Sequence, residues 1–320
     1  MSEFGDRILR EFPVRRKPQE KERFRLWLTG TLREMGYPTQ LQSRETALRI
    51  GGHVTNVVAG DPETAKLLLV AHYDTGIRTL FPPLIAPTRP LTGFLYMALT
   101  PVCVLLGSFA LSMLPTALIT IATDYRIDLS GWALPLFLLL LVAALAYLRF
   151  GPSETRNVDD NTSGVTALRE TAAALTPRYR GEVAFVFLDG GFGGLSGAKG
   201  FRARYPSAKE KSVINLNCVA QGTELLILPS KYSRWNGEML DAINESFACG
   251  ETKTVFLKTD GLTYYPSDNR AFRYSFAICA CEQVKGFGRL ILPRKAKNLD
   301  SENLQVLRDG LCNLAAKYQG

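Results

Sequence analysis

Leu67-Leu68-Leu69-Val70-Ala71-His72-Tyr73-Asp74-Thr75 is the stretch around which the rest of the chain reads. Its four apolar residues, Leu67 to Val70, predict a strand buried on both faces, as a parallel sheet requires. His72 and Asp74, two apart at the strand end, point to one side. That spacing lets one imidazole nitrogen meet a metal while Asp74 orients the ring through the other. A core histidine beside a solvated aspartate is the plainer reading of the same spacing.

The chain has 320 residues, enough for one large α/β domain or two smaller ones. Its net charge of +8 suits an anionic membrane surface or a nucleic acid. No aromatic-and-basic repeat accompanies that charge, so the lipid bilayer is the expected partner and nucleic acid is not. Cys103, Cys218, Cys249, Cys279, Cys281 and Cys312 form no CxxC pairs, which points to buried thiols in a reducing compartment. Arg7, Arg10, Arg15, Arg16 and Lys17 leave no room for the apolar core of a signal peptide.

Residues 18–35 read as an amphipathic helix, with Phe24, Trp27, Leu28, Leu32 and Met35 at helical spacing and Gly36 as its stop. Thr39–Gln42 and Ala47–Ile50 read as short strands, Gly51-Gly52 as a turn and Val54–Ala59 as a strand paired antiparallel with Leu67–Val70. His53 lies beside the turn with no carboxylate near it and reads as a surface residue. Farther on, Val183–Leu188, Val213–Asn217 and Leu225–Leu228 read as strands. Trp235–Phe247 and Glu302–Lys317 read as helices. Strands alternating with helices imply an α/β fold with a doubly wound, mostly parallel sheet.

Two charge-free runs interrupt this pattern, Gly93 to Ala122 and Gly131 to Leu148. Each is long enough to cross a hydrocarbon layer of about 30 Å, which takes about 20 helical residues. Leu136–Leu141 and the apolar residues after it lack any polar face, which separates them from a soluble core helix. Residues 81–150 are therefore expected to form an inserted transmembrane hairpin, with helices over about 93–122 and 131–149. The domain itself is expected in two parts, residues 1–80 and 151–320. The connecting loop carries Asp124, Arg126 and Asp128, whereas Arg78, Arg89, Arg149 and Arg156 flank the other ends. The positive-inside rule then makes this a two-pass membrane protein with its globular part in the cytoplasm. Gly107-Ser108 offers a close-contact face for another helix.

After the hairpin, Asp159-Asp160-Asn161-Thr162-Ser163-Gly164-Val165 opens a helix, with Asn161, Thr162 or Ser163 as cap. The run Asp189-Gly190-Gly191-Phe192-Gly193-Gly194-Leu195-Ser196-Gly197 lacks the ending and spacing of a phosphate loop. Together with Ala71-His72-Tyr73-Asp74-Thr75, this order of motifs resembles the di-zinc aminopeptidase and glutaminyl cyclase family, metallopeptidase family 28. The resemblance spans the chain apart from the hairpin and implies a zinc-aminopeptidase-like fold. It implies that His72 is a first metal ligand, Asp74 its orienting acid and Asp159 the carboxylate bridging two metals. It places the general base and a second ligand at Gly191 and Phe192, and a further aspartate ligand at Asn217. The last ligand, a histidine in the region Leu290–Lys297, has no counterpart, because His53 and His72 are the only two histidines.

A hydrolytic zinc site needs about three protein ligands and an open position. With Gly191, Phe192 and Asn217 in place of acids, no cofactor is expected and the chain reads as a catalytically degenerate pseudopeptidase. Such a protein would bind a peptide, a lipid or a partner protein through the old pocket. Arg294 or Lys295, near the missing histidine, is expected to supply a cation to the vacated acids, unless both are loop residues in solvent. The alternative is an active membrane-bound hydrolase with a remodelled site, using zinc or carboxylates among Asp74, Asp159, Asp189 and Glu282. The hairpin leaves just after Asp74 and returns just before Asp159, which turns the pocket toward the membrane.

Overall fold

The computed structural model describes residues 2–45, 53–79, 81–127, 129–192 and 194–318. The expected strand Ala47–Ile50 and turn Gly51-Gly52 lie outside the described residues. Strand β3 is Leu67–His72, buried at every position. It lies between β4 (Val183–Leu188) and β5 (Ser212–Leu216), parallel to both. Leu67, Leu69 and Ala71 pack into one core and Leu68 and Val70 into another, so both faces of the strand are covered. The unbroken Leu-Leu-Leu-Val run follows from that double burial.

The sheet runs in the order β1-β2-β4-β3-β5-β8-β6-β7, with β1 Thr39–Glu45, β2 His53–Ala59, β6 Glu224–Pro229, β7 Thr254–Leu257 and β8 Ser275–Val284. A short β9 (Gly288–Leu290) pairs with the end of β8. The expectation of a mostly parallel sheet needs correcting: the sheet is mixed, parallel from β4 through β3 and β5 to β8 and antiparallel at β1-β2, β2-β4 and β8-β6. The chain segment between Leu216 and Glu224 is too short for a parallel crossover, which takes a dozen or more residues, so β6 returns in the opposite direction. The expected pairing of Val54–Ala59 with Leu67–Val70 is also corrected. β2 does run opposite to β3, but β4 lies between them and takes both edges, Val57 opposite Phe187 and Leu69 opposite Phe185.

Helices α1 (Glu3–Glu11), α2 (Pro18–Glu34), α5 (Gly164–Ala174), α7 (Gly237–Ser246) and α8 (Ser301–Lys317) cover one face, and α6 (Ser196–Arg204) packs on the other. α2 buries Phe24, Leu28 and Leu32, the stripe its periodicity predicts. α1 was not expected; its Phe4 and Ile8 are buried, and Phe4 stacks on Trp27 with ring centroids 4.7 Å apart. Before α5 a wide turn, Val158–Ser163, contains a cis Asp160–Asn161 peptide. Asn161 Oδ1 accepts from Gly164 N at 3.1 Å, so of the three expected caps it is Asn161 that closes the helix. A Cβ on Gly164 would come within 2.5 Å of Leu216 O, so only glycine lets the helix start this close to β5.

Between β3 and that turn stand α3 (Pro90–Ala122) and α4 (Ala133–Phe150), packed on each other. Both are long and apolar enough to cross a membrane by length and composition. Pro101 and Pro115 lie inside α3 without ending it. Its buried positions are Gly93 and, four residues apart, Ser108, Ser112 and Thr116, and Phe109 meets Phe137 of α4 edge-on at 6.3 Å. Most other large side chains of the pair are exposed, among them Phe94, Leu106, Leu118, Leu139 and Leu145. Of the expected close-contact face, Ser108 is buried, whereas Gly107 has open space around it.

Candidate functional site

The site lies where β3, β4 and β5 end. His72, the last residue of β3, is 4% exposed. Its Nδ1 is 3.4 Å from Asp74 Oδ1 and its Nε2 is 3.1 Å from Asp160 Oδ1. The two-residue spacing therefore brings Asp74 to the imidazole as the sequence suggests. The second carboxylate is Asp160 and not the expected Asp159. In the turn before α5 the two neighbouring side chains point apart: Asp159 turns into the protein and accepts from Ala220 N at 2.8 Å. Asn161 fixes the turn by donating to His72 O at 3.3 Å and Leu216 O at 2.9 Å.

Burial pulls the His72 imidazolium down, but hydrogen bonds to Asp160 and Asp74 outweigh it and leave the ring well above its ordinary value. Burial likewise opposes the Asp74 charge, yet His72, Lys21 and the Gly191 N–H hold that carboxyl below its ordinary value. For Asp159 burial dominates, assisted by Asp160 and opposed by the Ala220 N–H, and its carboxyl is pushed up to about 8.

Gly191 follows β4 and donates its N–H to Asp74 Oδ1 at 2.9 Å. A Cβ there would fall 2.8 Å from His72 Cγ, so the imidazole occupies the space a side chain would need. Phe192 lays its ring edge-on to His72 at 5.4 Å and is half exposed. Asn217, just after β5, donates to Ser267 Oγ at 2.9 Å, and Cys218 Sγ lies 3.5 Å from its Oδ1. Zinc ligands must be deprotonated, and a hydrolytic site needs about three of them. Both His72 nitrogens are engaged by carboxylates, and Gly191, Phe192 and Asn217 add no anionic donor. Among the described residues no group of three or more His, Cys, Asp or Glu side chains is placed to hold a metal ion, the His72, Asp74 and Asp160 side chains being turned on one another. The residues present do not fit a zinc pair.

Cations reach these acids from α2 and from the segment before it. Lys21 of α2 pairs with the buried Asp189, which also accepts from Thr55 N at 3.1 Å. Arg15 is fully buried, donates from Nε to Tyr73 O at 2.5 Å and from an Nη to Thr162 Oγ1 at 3.1 Å, and takes Thr75 Oγ1 on its backbone N–H at 2.9 Å. Burial lowers its guanidinium to about 10 while Asp74 and Asp160 support the charge. Arg294 pairs with Glu154, Nε to Oε2 at 2.5 Å, and lines a small chamber of about 120 Å³ together with Asp160 and Phe192. Lys295 is exposed. A retrievable signal for Lys21 was present in the sequence: it precedes Phe24 and Leu28 by three and seven residues, the same face of α2.

Asp268, also unforeseen, is fully buried, and neither of its carboxyl oxygens has a hydrogen-bond partner among the described residues. Burial, with repulsion from Asp74 and Asp160 and partial relief from His72, pushes it up to about 6. Glu282 is exposed on β8 and accepts from Thr223 Oγ1 at 3.2 Å, apart from this cluster.

This arrangement can be set beside known proteins. The family model described as Peptidase family M28 matches residues 147–280. Comparison with curated proteins gives no match. Among solved structures, the glutaminyl cyclase of Porphyromonas gingivalis superposes with a TM-score of 0.56 at 17% identity, over 98% of this chain and 95% of that one. A zinc-dependent exopeptidase of Parabacteroides distasonis gives 0.55 at 13% identity, over 98% and 96%. The glutaminyl cyclase of Macrostomum lignano gives 0.57 at 14% identity, over 99% and 89%. At these identities the superpositions establish the fold alone, and residues 147–280 resemble peptidase family M28.

Proposed function

We propose that this chain is a membrane-anchored, catalytically degenerate relative of the zinc aminopeptidases that binds a peptide, a lipid or a partner protein at its former active site. One observation carries the reading: around His72 the positions that would complete a metal site hold Gly191, Phe192 and Asn217, and His72 itself is clamped between Asp74 and Asp160. An imidazolium between two carboxylates provides locally the charge balance that metal ions would provide in an active relative. Without a metal-bound hydroxide or a general base, hydrolysis loses its two main sources of rate. The exposed apolar faces of α3 and α4 support the anchoring, and the arginines at 78, 89, 149 and 156 favour a cytoplasmic domain. The alternative of an active hydrolase is less favoured, because Asp74, Asp159, Asp189 and Glu282 are engaged separately by His72, Ala220, Lys21 and Thr223.

The test is elemental analysis of the detergent-purified chain together with aminopeptidase and glutaminyl cyclase assays. Sub-stoichiometric zinc and rates equal to those of His72→Ala support the reading. Two bound zinc ions with activity that His72→Ala abolishes would overturn it.

A further inference from the structure

A cleft of about 840 Å³ opens at the foot of the hairpin, where α3 begins and α4 has ended. Arg78, Arg156, Arg294 and Lys295 line it against a single acid, Glu154. Glu154 is already taken by Arg294. Arg78, Arg156 and Lys295 are exposed and have no ion-pair partner among the described residues. A tyrosine from each helix holds the rim: Tyr96 donates to Pro82 O at 2.8 Å, and Tyr147 to Arg78 O at 3.0 Å. Tyrosines at the ends of apolar helices mark the depth of lipid headgroups. The cleft shares Thr79, Pro83, Glu154, Arg156 and Arg294 with the small chamber that reaches Asp160 and Phe192.

We propose that this cleft holds the phosphate headgroup of an anionic phospholipid and is the approach to the small chamber lined by Asp160 and Phe192. The inference rests on the membrane reading above. Three unneutralised cations select a phosphate, since a zwitterionic headgroup brings a cation of its own. Lipid rather than a soluble phosphate is the source, because the cleft wall at Tyr96 and Leu292 continues onto the exposed apolar surface of α3, where acyl chains would lie. The chamber is too small for a peptide chain but admits the polar tip of a headgroup.

The full chain, reconstituted into phosphatidylcholine bilayers with or without phosphatidylglycerol and analysed by native mass spectrometry, tests this. Retention of phosphatidylglycerol over phosphatidylcholine is expected, weakened about fivefold for each of Arg78→Ala, Arg156→Ala and Lys295→Ala. Arg273→Ala, on a distant surface, is expected to change nothing. If an alanine variant does not fold, Arg156→Gln carries the comparison. Insertion without lipid preference, unchanged retention in the variants, or displacement of the lipid by free glycerol phosphate would overturn the headgroup site alone. Failure of the wild-type chain to insert into phosphatidylcholine would overturn the membrane reading and the site with it.

Discussion

Asp160 Oδ1 lies 3.1 Å from His72 Nε2, although 88 residues and the whole apolar hairpin separate the two in sequence. The bond helps hold His72 well above its ordinary value, against the burial that lowers it, and joins β3 to the turn before α5. Asp160→Asn is expected to lower the His72 pKa toward its ordinary value, read by NMR titration of the ring. Because the folded value is raised, the stabilisation is fully present below about pH 6.5 and fades as pH climbs through the folded value. The stability gap between wild type and variant should therefore shrink toward alkaline pH. A gap that widens there would contradict the assignment.

Lys21 and Asp189 form the other internal ion pair of the site, with Asp189 fully buried. Removing the cation strands a buried carboxylate, at a cost of about 3 kcal/mol. Lys21→Met should lose that much in chemical denaturation, and Lys21→Met with Asp189→Asn should recover most of it. Additive losses would mean that the two side chains do not interact.

Asp268 gives a second pH signature of the opposite kind from an ordinary surface acid. Its carboxyl moves from 3.8 to about 6 on folding, so it favours the folded state below about pH 4 and that contribution is lost as pH rises through 6. Asp268→Asn keeps the shape and removes the buried charge. It is expected to match wild type near pH 4 and to be more stable above pH 7 by about 3 kcal/mol. Equal stability across the range would show that water or a cation reaches the carboxylate.

Gly191 explains why an acid at this position would not revive a metal site by itself. A side chain there collides with the His72 ring, so Gly191→Glu should unfold at lower temperature than wild type and gain no zinc, whereas Phe192→Glu should be tolerated because Phe192 is half exposed. Thermal melts and metal analysis of the two variants check this. Stoichiometric zinc in Gly191→Glu would show that the ring can move aside.

Topology can be read with thiol labelling. Cys249 is exposed on the globular part, and Ile127 lies in the loop between α3 and α4. In intact cells a membrane-impermeant maleimide should modify Ile127→Cys and leave Cys249 untouched. The reverse pattern would invert the proposed orientation.

The central strand, α2 and the two apolar helices were legible because their signals are local: an unbroken apolar run, a 3.6-residue stripe, and charge-free segments of spanning length. What escaped depends on chain direction or on a single dihedral. Nothing within β2 or β3 tells that β4 will come between them, since the partner lies more than a hundred residues downstream. Two adjacent aspartates look alike in sequence, and only the turn at Asp160–Asn161 decides which faces His72. Arg15 and Lys21 read as surface charge, although Arg15 is buried against Phe24 of α2 and Lys21 reaches the buried Asp189.

Two short bridges hold the segment that enters the hairpin, Ile77 to Ser153 of the segment that leaves it and Ile85 to Ile291 just after β9. A domain hung on two loose tethers could tumble and sample ligands at any height above a bilayer. A stem sewn in this way favours, on the membrane reading, one orientation and one stand-off distance for the domain. On the membrane reading, anything it captures must arrive within the leaflet plane, so its chemistry of recognition is two-dimensional.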